Sequence, residues 1–413
     1  MSIELFFPTA ENRRRLHAGP LARDIDGFAV WLSVEGYARP SAREKLRFVE
    51  LLSRWLESEE LGVEDLDEQR VEAFLLARGW SNGRRGEAAT GRQLLCYLRG
   101  SGVIPAAVPC PDSDTPIDRI GRIYERFLVN ERGVSPATVT NYLPIVRTFL
   151  TEHFGAREVV LETLGVRDAN QFVLRQARRL SRSRAKLVVT VLRSFLRHLY
   201  QRGDVPVDLS SAVVPVMHWR LSGLPKALAP EQVEALLESC DRSTATGQRD
   251  HAILLLLARL GLRAGEVVAL TLDDFNWDEG IVTVHGKGKR RELLPLPHEA
   301  GESLTEYLRA SRPVCPTRRL FVRMHAPHRG FSTSVAICNV VRRALTRAGI
   351  DSAFKGAHLL RHSLATGMLH NGASLEDIGQ LLRHRHPETT QIYAKVDLNA
   401  LRAVAPAWPG GVA

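Results

Sequence analysis

The sequence has little cysteine and no long apolar run. Its five cysteines stand singly in 413 residues, without a Cys-x-x-Cys pair, which argues against a zinc ribbon or a disulfide framework and favours reduced thiols. The N-terminal stretch "MSIELFFPTAENRRR" lacks the basic and then apolar order of a signal peptide. The most apolar stretch, "HAILLLLARLGL", is too short to span a bilayer. We therefore expect a cytoplasmic protein without a membrane partner.

Lysine is also scarce, although the chain is basic. The formal net charge is +10, and few of the 56 basic residues are lysines. Arginine suits phosphate because its planar fork donates two parallel hydrogen bonds. Residues 1–116 hold 15 basic and 18 acidic residues, residues 117–220 hold 17 and 9, and residues 221–413 hold 24 and 19. Binding of a polyanion is thus expected mainly from the second and third segments.

Clusters of proline and glycine near residues 105–116 and 203–225 divide the chain. Between them, apolar residues recur at helical spacing. The pattern predicts an N-terminal helical domain (1–110), a second helical domain (117–213), a third domain (224–405) and a tail (406–413).

The first two predicted domains share the pattern Leu-x-x-Leu-x-x-x-Gly-x-x-Pro. It is carried by Leu95, Leu98, Gly102 and Pro105 in the first and by Leu196, Leu199, Gly203 and Pro206 in the second. We predict that the first domain is a duplicate of the second. Its role stays open between a protein–protein module, a solvated helical face and a DNA-binding face built on Arg84, Arg85, Arg92 and Arg99.

The third domain mixes helices with a short β element. The alternating stretch "GIVTVHG" is followed by the basic turn "KGKRR" and by "ELLPLP". This order predicts a β-hairpin whose turn presents lysine. Helical patterns resume after the hairpin and continue towards the C-terminus, so the domain is expected to be α+β and mostly helical.

A metal site is disfavoured by the motifs. "HLLRH" places His358 and His362 on one helix face, but a metalloprotease needs a glutamate after the first histidine, where Leu359 stands. No acidic cluster of the two-metal nuclease kind lies beside these histidines. We expect neither a metal nor another cofactor.

Metal-free cleavage of DNA would need a different set of side chains. Tyrosine can act as the nucleophile, and arginines can stabilise the charge on the phosphate oxygens. Lysine can serve as a general acid, and histidines can donate hydrogen bonds or take the proton of the nucleophile. The third domain contains such residues in order: Arg263, Lys287, His358, Arg361, His384 and Tyr393.

These residues and their order resemble the catalytic domain of the tyrosine recombinase (phage integrase) family. The matching elements are "GLRAGE" around Arg263, "GKG" at Lys287, "HLLR" from His358 to Arg361, and a tyrosine nine residues after His384. Residues 117–213 are similar to the core-binding domain of that family. The resemblance implies a mainly α fold with a small β-hairpin, in which two N-terminal helical (SAM-like, core-binding type) domains precede an α+β catalytic domain.

The resemblance also implies a function. The chain would be a site-specific recombinase or integrase that cuts and rejoins DNA through a covalent 3′-phosphotyrosyl intermediate without metal, for integration, transposition or resolution of a mobile element. The six residues named above would be catalytic. The partners would be double-stranded DNA core sites and further protomers, in a homotetramer or mixed tetramer. Alternatives are a type IB topoisomerase-like nickase and an accessory DNA-binding subunit.

Some residues depart from the family pattern or add to it. Arg383 replaces the usual glycine before His384, which predicts either crowding or an extra phosphate contact. His362 and His386 are additional histidines, interpreted as structural or close to DNA. We expect His384 and Tyr393 on neighbouring helical segments. Candidate contacts to the DNA backbone, which position the duplex without reading its sequence, are Lys289, Arg290 and Arg291.

Overall fold

The computed structural model of the chain describes residues 3–79, 85–106, 115–155, 157–217, 226–286 and 290–396. The chain forms two compact units, one from Met1–Ala107 with Gly223–Ala413 and the other from Val108–Ser222. No helix in the described ranges is both long and apolar enough to cross a membrane. The predicted tail, residues 406–413, lies outside the described residues, and the predicted domain boundaries remain predictions.

The N-terminal part of the first unit is helical. Its helices are α1 (Ala10–Leu16), α2 (Ile25–Val34), α3 (Arg39–Ser58), α4 (Glu68–Ala77) and α5 (Arg85–Gly100). Asp67 begins α4 by accepting a hydrogen bond from the Arg70 amide at 2.8 Å, as expected of an N-cap aspartate. Apolar side chains from these helices, such as Phe28 and Phe74, form a core of their own.

The second unit is a separate helical bundle. It contains α6 (Pro116–Arg126), which continues into a π-helical turn (Phe127–Glu131), followed by α7 (Pro136–Phe154), α8 (Val166–Arg179) and α9 (Arg182–Arg202). Thr115 and Ser135 cap α6 and α7, and each is followed by a proline, the preferred order at a helix start. Tyr124 and Phe195 pack edge to face in its core.

The two segments that share the Leu-Leu-Gly-Pro pattern end in the same way. Gly102 follows α5 with φ +74°, and Gly203 follows α9 with φ +79°, a left-handed conformation that glycine adopts without steric cost. In both, the amide of the next residue donates to a carbonyl five residues earlier, that of Leu98 or Leu199, at 2.9 Å. The duplication itself stays a prediction, and these matched helix ends agree with it.

The C-terminal part of the first unit combines helices with a small sheet. In chain order its elements are α10 (Pro230–Glu238), α11 (Ala245–Arg259), α12 (Ala264–Ala269), β1 (Phe275–Asn276), β2 (Ile281–His285), β3 (Arg291–Pro295), α13 (His298–Glu306), a π-helical turn (Tyr307–Ser311), α14 (Ser334–Arg347), α15 (His358–His370), α16 (Leu375–Leu381) and a 3₁₀ helix (Pro387–Val396). Residues 249–258 of α11 are all buried, so this helix forms the centre of the core.

The sheet confirms the predicted hairpin. β2 and β3 pair antiparallel with Ile281 opposite Pro295 and His285 opposite Arg291. Val282 and Val284 face the core from β2, as the alternation of the sequence predicts. Residues 287–289 of the predicted turn lie outside the described residues. The short strand β1 was not predicted. The mainly helical fold class with a small β element is confirmed.

Candidate active site

Helix α15 carries three polar side chains of the site, those of His358, Arg361 and His362. Arg361 is only 3% exposed and donates hydrogen bonds to the backbone carbonyls of Gly261 and Leu382. These carbonyls belong to the segment before Arg263 and to the turn before His384. Arg361 therefore joins both segments to α15.

The burial of Arg361 affects its charge but does not abolish it. Burial, followed by the neighbouring cations Arg263 and Arg383, lowers its pKa to about 10. The guanidinium is thus still charged at neutral pH. It has five N–H donors, and the two carbonyls leave some of them unused.

Arg263 occupies the N-cap position of α12 and is held by Glu266. Its side chain donates to Glu266 Oε1 at 2.6 Å, and its backbone amide donates to Glu266 Oε2 at 2.8 Å. Burial raises the pKa of Glu266, but the Arg263 amide and the Arg383 and Arg263 guanidinium groups lower it more, so the carboxylate is ionised. The Arg263 side chain is 38% exposed and can therefore meet a ligand from solvent.

His384 lies in the turn between α16 and the 3₁₀ helix. The expectation that it sits on a helical segment is wrong, because Arg383 adopts a left-handed φ of +55° and ends α16. The Nδ1 atom of His384 lies 2.7 Å from Thr390 Oγ1. Burial, followed by the nearby Arg361 and Arg263, lowers the pKa of His384 to about 4, so the ring is neutral at physiological pH.

Tyr393 lies on the 3₁₀ helix and is 1% exposed. Its hydroxyl is 2.9 Å from His362 Nδ1. Burial raises the pKa of Tyr393 to about 12, although Arg361 acts in the opposite direction. Its ring packs in a small cluster with Ile378 and Leu382. The 3₁₀ helix thus folds back onto α15 and α16.

His358 is the first residue of α15 and is exposed to solvent. Its ring centre is 6.3 Å from that of His362. Partial enclosure by the surrounding residues lowers its pKa, and Arg361 and Arg263 lower it further. Lys287 and Lys289 lie outside the described residues, while Arg290 and Arg291 are exposed.

Arg383 points inward. Its side chain is 4% exposed, and its guanidinium lies 2.9 Å from Glu266 Oε2 and 3.4 Å from Glu292 Oε2. Both expectations for this residue placed it at the approach of DNA, whereas the structure engages it with two carboxylates. His386 is exposed.

Sequence reasoning did not single out His362 as a partner of Tyr393. The two residues are 31 positions apart in the chain, so their contact depends on how the 3₁₀ helix folds back. The signal in the sequence is that His362 follows His358 by four residues and therefore lies on the same face of the helix.

The basic face suggested for the first domain has fewer arginines available for DNA than the sequence indicates, because one of them is paired with a carboxylate. Arg99 is paired with Glu68, with nitrogen–oxygen distances of 2.6 and 2.8 Å. Arg84 and the side chain of Arg85 lie outside the described residues. Arg92 lines a cavity of about 510 Å³ with Lys45 and Arg323. Among the described residues, no group of three or more His, Cys, Asp or Glu side chains could hold a metal ion.

Comparison with known proteins gives matches over the catalytic part and beyond it. Residues 226–399 match the model of the "Phage integrase family". "Putative integrase/recombinase y4rA" of Sinorhizobium fredii is 44% identical over 392 residues, covering 95% of each chain. "Tyrosine recombinase XerD" of Listeria monocytogenes is 34% identical over 284 residues, covering 67% of this chain and 94% of the relative.

Solved structures show the same fold. A complex of the recombinase XerH with a palindromic difH substrate, after cleavage, matches with a TM-score of 0.54 at 18% identity, covering 96% of this chain and 94% of that one. A dimer of lambda integrase residues 75–356 on a COC′ core site matches with a TM-score of 0.51 at 17% identity, covering 67% of this chain and 94% of that one. At these identities the likeness concerns the fold alone.

Proposed function

Because this chain belongs to the phage integrase family of tyrosine recombinases, enzymes that cleave and rejoin DNA, we propose that it exchanges strands through a covalent 3′-phosphotyrosyl intermediate without metal. The observation that carries the proposal is the convergence of four separate segments. Arg361 binds the backbone carbonyls of Gly261 and Leu382. Arg263 and His384 each lie two positions after one of these residues, and the Tyr393 ring packs in one cluster with Leu382. A phosphate held by the two arginines would lie beside the segment of Tyr393, whose hydroxyl is buried in this structure and has to become exposed before it attacks.

In the proposed reaction, the Tyr393 oxygen attacks the scissile phosphorus and forms a phosphotyrosyl bond. The bond to the 5′-oxygen breaks, and the phenolic proton passes to His362, whose Nδ1 lies 2.9 Å from the hydroxyl. Burial, followed by the nearby His358 and Arg361, lowers the pKa of His362, so a neutral ring is available as acceptor. Rejoining reverses these steps with a new 5′-hydroxyl.

The two arginines would stabilise the transition state. Charge grows on the non-bridging oxygens as the phosphorus becomes five-coordinate, and fixed cations offset it. Arg263 has an exposed side chain, and Arg361 has unused N–H groups. Lys287, which lies outside the described residues, would protonate the leaving 5′-oxygen, and His358 and His384 would donate hydrogen bonds to the phosphate.

The biological setting is the integration, transposition or resolution of a mobile element. Relatives named integrase/recombinase support this assignment. The solved structure of lambda integrase is a dimer on a core site, which supports binding of double-stranded DNA by several protomers. We propose a homotetramer, or a mixed tetramer with related recombinases, on two synapsed sites.

The first test uses suicide DNA from the ends of the element that carries the gene, nicked near candidate core sites. Wild-type protein in EDTA is expected to form a 3′-linked covalent adduct, and Tyr393→Phe is expected to form none while still binding the DNA. An equal adduct from both proteins would remove Tyr393 from its role. Binding by the wild type without an adduct would favour an accessory subunit. In a parallel assay, relaxation of a closed supercoiled plasmid of any sequence would favour a topoisomerase-like nickase.

A further inference from the structure

Arg383 takes up a backbone conformation that its residue type disfavours. Its φ of +55° is left-handed, and the amides of Arg383 and His384 donate to the carbonyls of Gln380 and Gly379 at 3.0 and 2.9 Å. This is the helix end at which glycine is usual. A side chain there strains the backbone, and such strain persists where surrounding contacts over-determine it. The contacts of the Arg383 side chain are therefore the feature to explain.

Those contacts reach two other elements of the site. Glu266, on α12, binds Arg383 at 2.9 Å and also holds the side chain of Arg263 at 2.6 Å. Glu292, on β3, lies 3.4 Å from Arg383 Nε, which is an ion pair without a hydrogen bond. The backbone oxygen of Arg383 in turn accepts a hydrogen bond from Arg263 at 3.4 Å. One residue thus ties α12, the hairpin and the turn of His384 together.

We propose that Arg383 is a positioning residue that keeps Arg263 available to the DNA phosphate and fixes the hairpin and the His384 turn in register. Glu266 is buried, and a buried carboxylate requires cationic partners. With Arg383 present, two arginines share Glu266, and the outer face of Arg263 stays open. Without Arg383, Glu266 has only Arg263 as a partner, and Glu292 loses its contact.

The role of Arg383 in cleavage rests on the proposed function. A positioning contact and a purely structural contact have different measurable effects. A structural contact would change stability and leave the cleavage step unaltered in the folded protein. A positioning contact changes the rate of the chemical step at saturating protein, while affinity for the same DNA changes little.

The test compares Arg383→Gly, Arg383→Lys and Arg385→Gly in single-turnover cleavage of the suicide DNA. Arg385 is the matched control, since it is exposed and carries the same charge two residues along the chain. We expect Arg383→Gly to cleave at least about 10-fold more slowly at saturation, because it loses one charge-assisted contact. The Kd for the same DNA should change less than about 3-fold. Arg383→Lys should recover part of the rate, because an ammonium can bind one carboxylate but lacks the fork.

A double-variant cycle with Glu292→Gln tests the route. If Arg383 acts in part through Glu292, the losses from Arg383→Gly and Glu292→Gln will not add when combined. Additive losses would remove Glu292 from the mechanism. A wild-type rate for folded Arg383→Gly, or an equal loss in Arg385→Gly, would overturn the proposal.

A measurement without DNA separates failure of this inference from failure of the proposed function. The histidine ring signals of His384 can be titrated by NMR in the wild type, Arg383→Gly and Arg385→Gly. The burial of His384, then Arg361, Arg263, His362 and Arg383, lowers its pKa to about 4. Loss of Arg383 and loosening of the turn should raise the pKa in Arg383→Gly alone. An unchanged pKa would overturn the positioning role even if no DNA substrate is ever cleaved.

Discussion

At the scale of single residues, the contact between His362 and Tyr393 defines the state of the proposed nucleophile. Tyr393 is buried and protonated at neutral pH, since burial raises its pKa to about 12. A phenol in that state attacks phosphorus only if its proton has an acceptor. His362 Nδ1, at 2.9 Å, lies within hydrogen-bond reach of that proton.

We expect His362→Leu to slow formation of the covalent adduct by about 10²-fold at neutral pH, the typical contribution of a positioned general base, with DNA affinity unchanged. His362→Asn retains a hydrogen-bonding oxygen near the Nδ1 position but cannot take the proton, so it should be as slow as His362→Leu. The rate is measured in single-turnover cleavage. A wild-type rate for His362→Asn would show that the contact orients Tyr393 and does not accept its proton.

At the scale of elements, the hairpin is fixed to the helical core by one buried carboxylate. Asp274 is 8% exposed. It accepts hydrogen bonds from the Thr271 amide at 2.7 Å and the Thr271 hydroxyl at 2.8 Å, and its other oxygen lies 2.7 Å from His285 Nε2 at the end of β2. Strand β2 is thereby held at His285, its last residue before the basic turn.

Asp274→Asn is expected to lower the free energy of unfolding by about 1–3 kcal/mol, because an amide cannot accept all of these hydrogen bonds and leaves buried groups unsatisfied. Asp278→Asn, in the exposed turn before β2, is the matched control and should change it by less than about 0.5 kcal/mol. Both values come from chemical denaturation. Equal effects of the two variants would contradict the anchoring role of Asp274.

The elements also show how far sequence patterns reach. The β2–β3 hairpin was predictable because its alternating apolar residues belong to one short stretch, and Arg263, Arg361 and Tyr393 stood out through local motifs. Strand β1 has two residues, too few for a periodic signal. The inward turn of Arg383 depends on Glu266, 117 positions away in the chain, and no local pattern encodes such a contact.

At the scale of the whole molecule, the N-terminal helices of the first unit contact its C-terminal part directly. The Glu35 carboxylate binds Arg329 at 2.9 and 3.1 Å, and the Glu35 carbonyl accepts from the His328 amide at 3.0 Å. Gly36, with φ +84°, lies so close to the His328 ring that an added Cβ would stand 1.9 Å from it. The first domain therefore contacts the catalytic part at a position where the positive φ and the nearby His328 ring both favour glycine.

We expect Gly36→Ala to loosen this contact, so that residues 1–107 become sensitive to protease and unfold in a separate thermal transition. Gly79→Ala is the control, since Gly79 has a similar φ of +67° but nothing within 4 Å of an added Cβ. Gly79→Ala should lower the free energy of unfolding by only about 1–2 kcal/mol through backbone strain. The unit should still unfold in a single thermal transition. If both variants behave alike, the contact at His328 does not couple the two parts.

The anchoring of Arg361 has a consequence for natural variation. Its partners, at Gly261 and Leu382, are backbone carbonyls, and every amino acid supplies the same carbonyl. Replacement of the Leu382 side chain can alter packing without deleting the acceptor, whereas replacement of Arg361 removes both attachments in one step. Drift among copies of this gene, and any scan that substitutes one side chain at a time, will therefore register this junction mainly through Arg361. Gly261 is the second sensitive position, because its φ is +57° and an added Cβ would stand 2.8 Å from the Leu382 side chain.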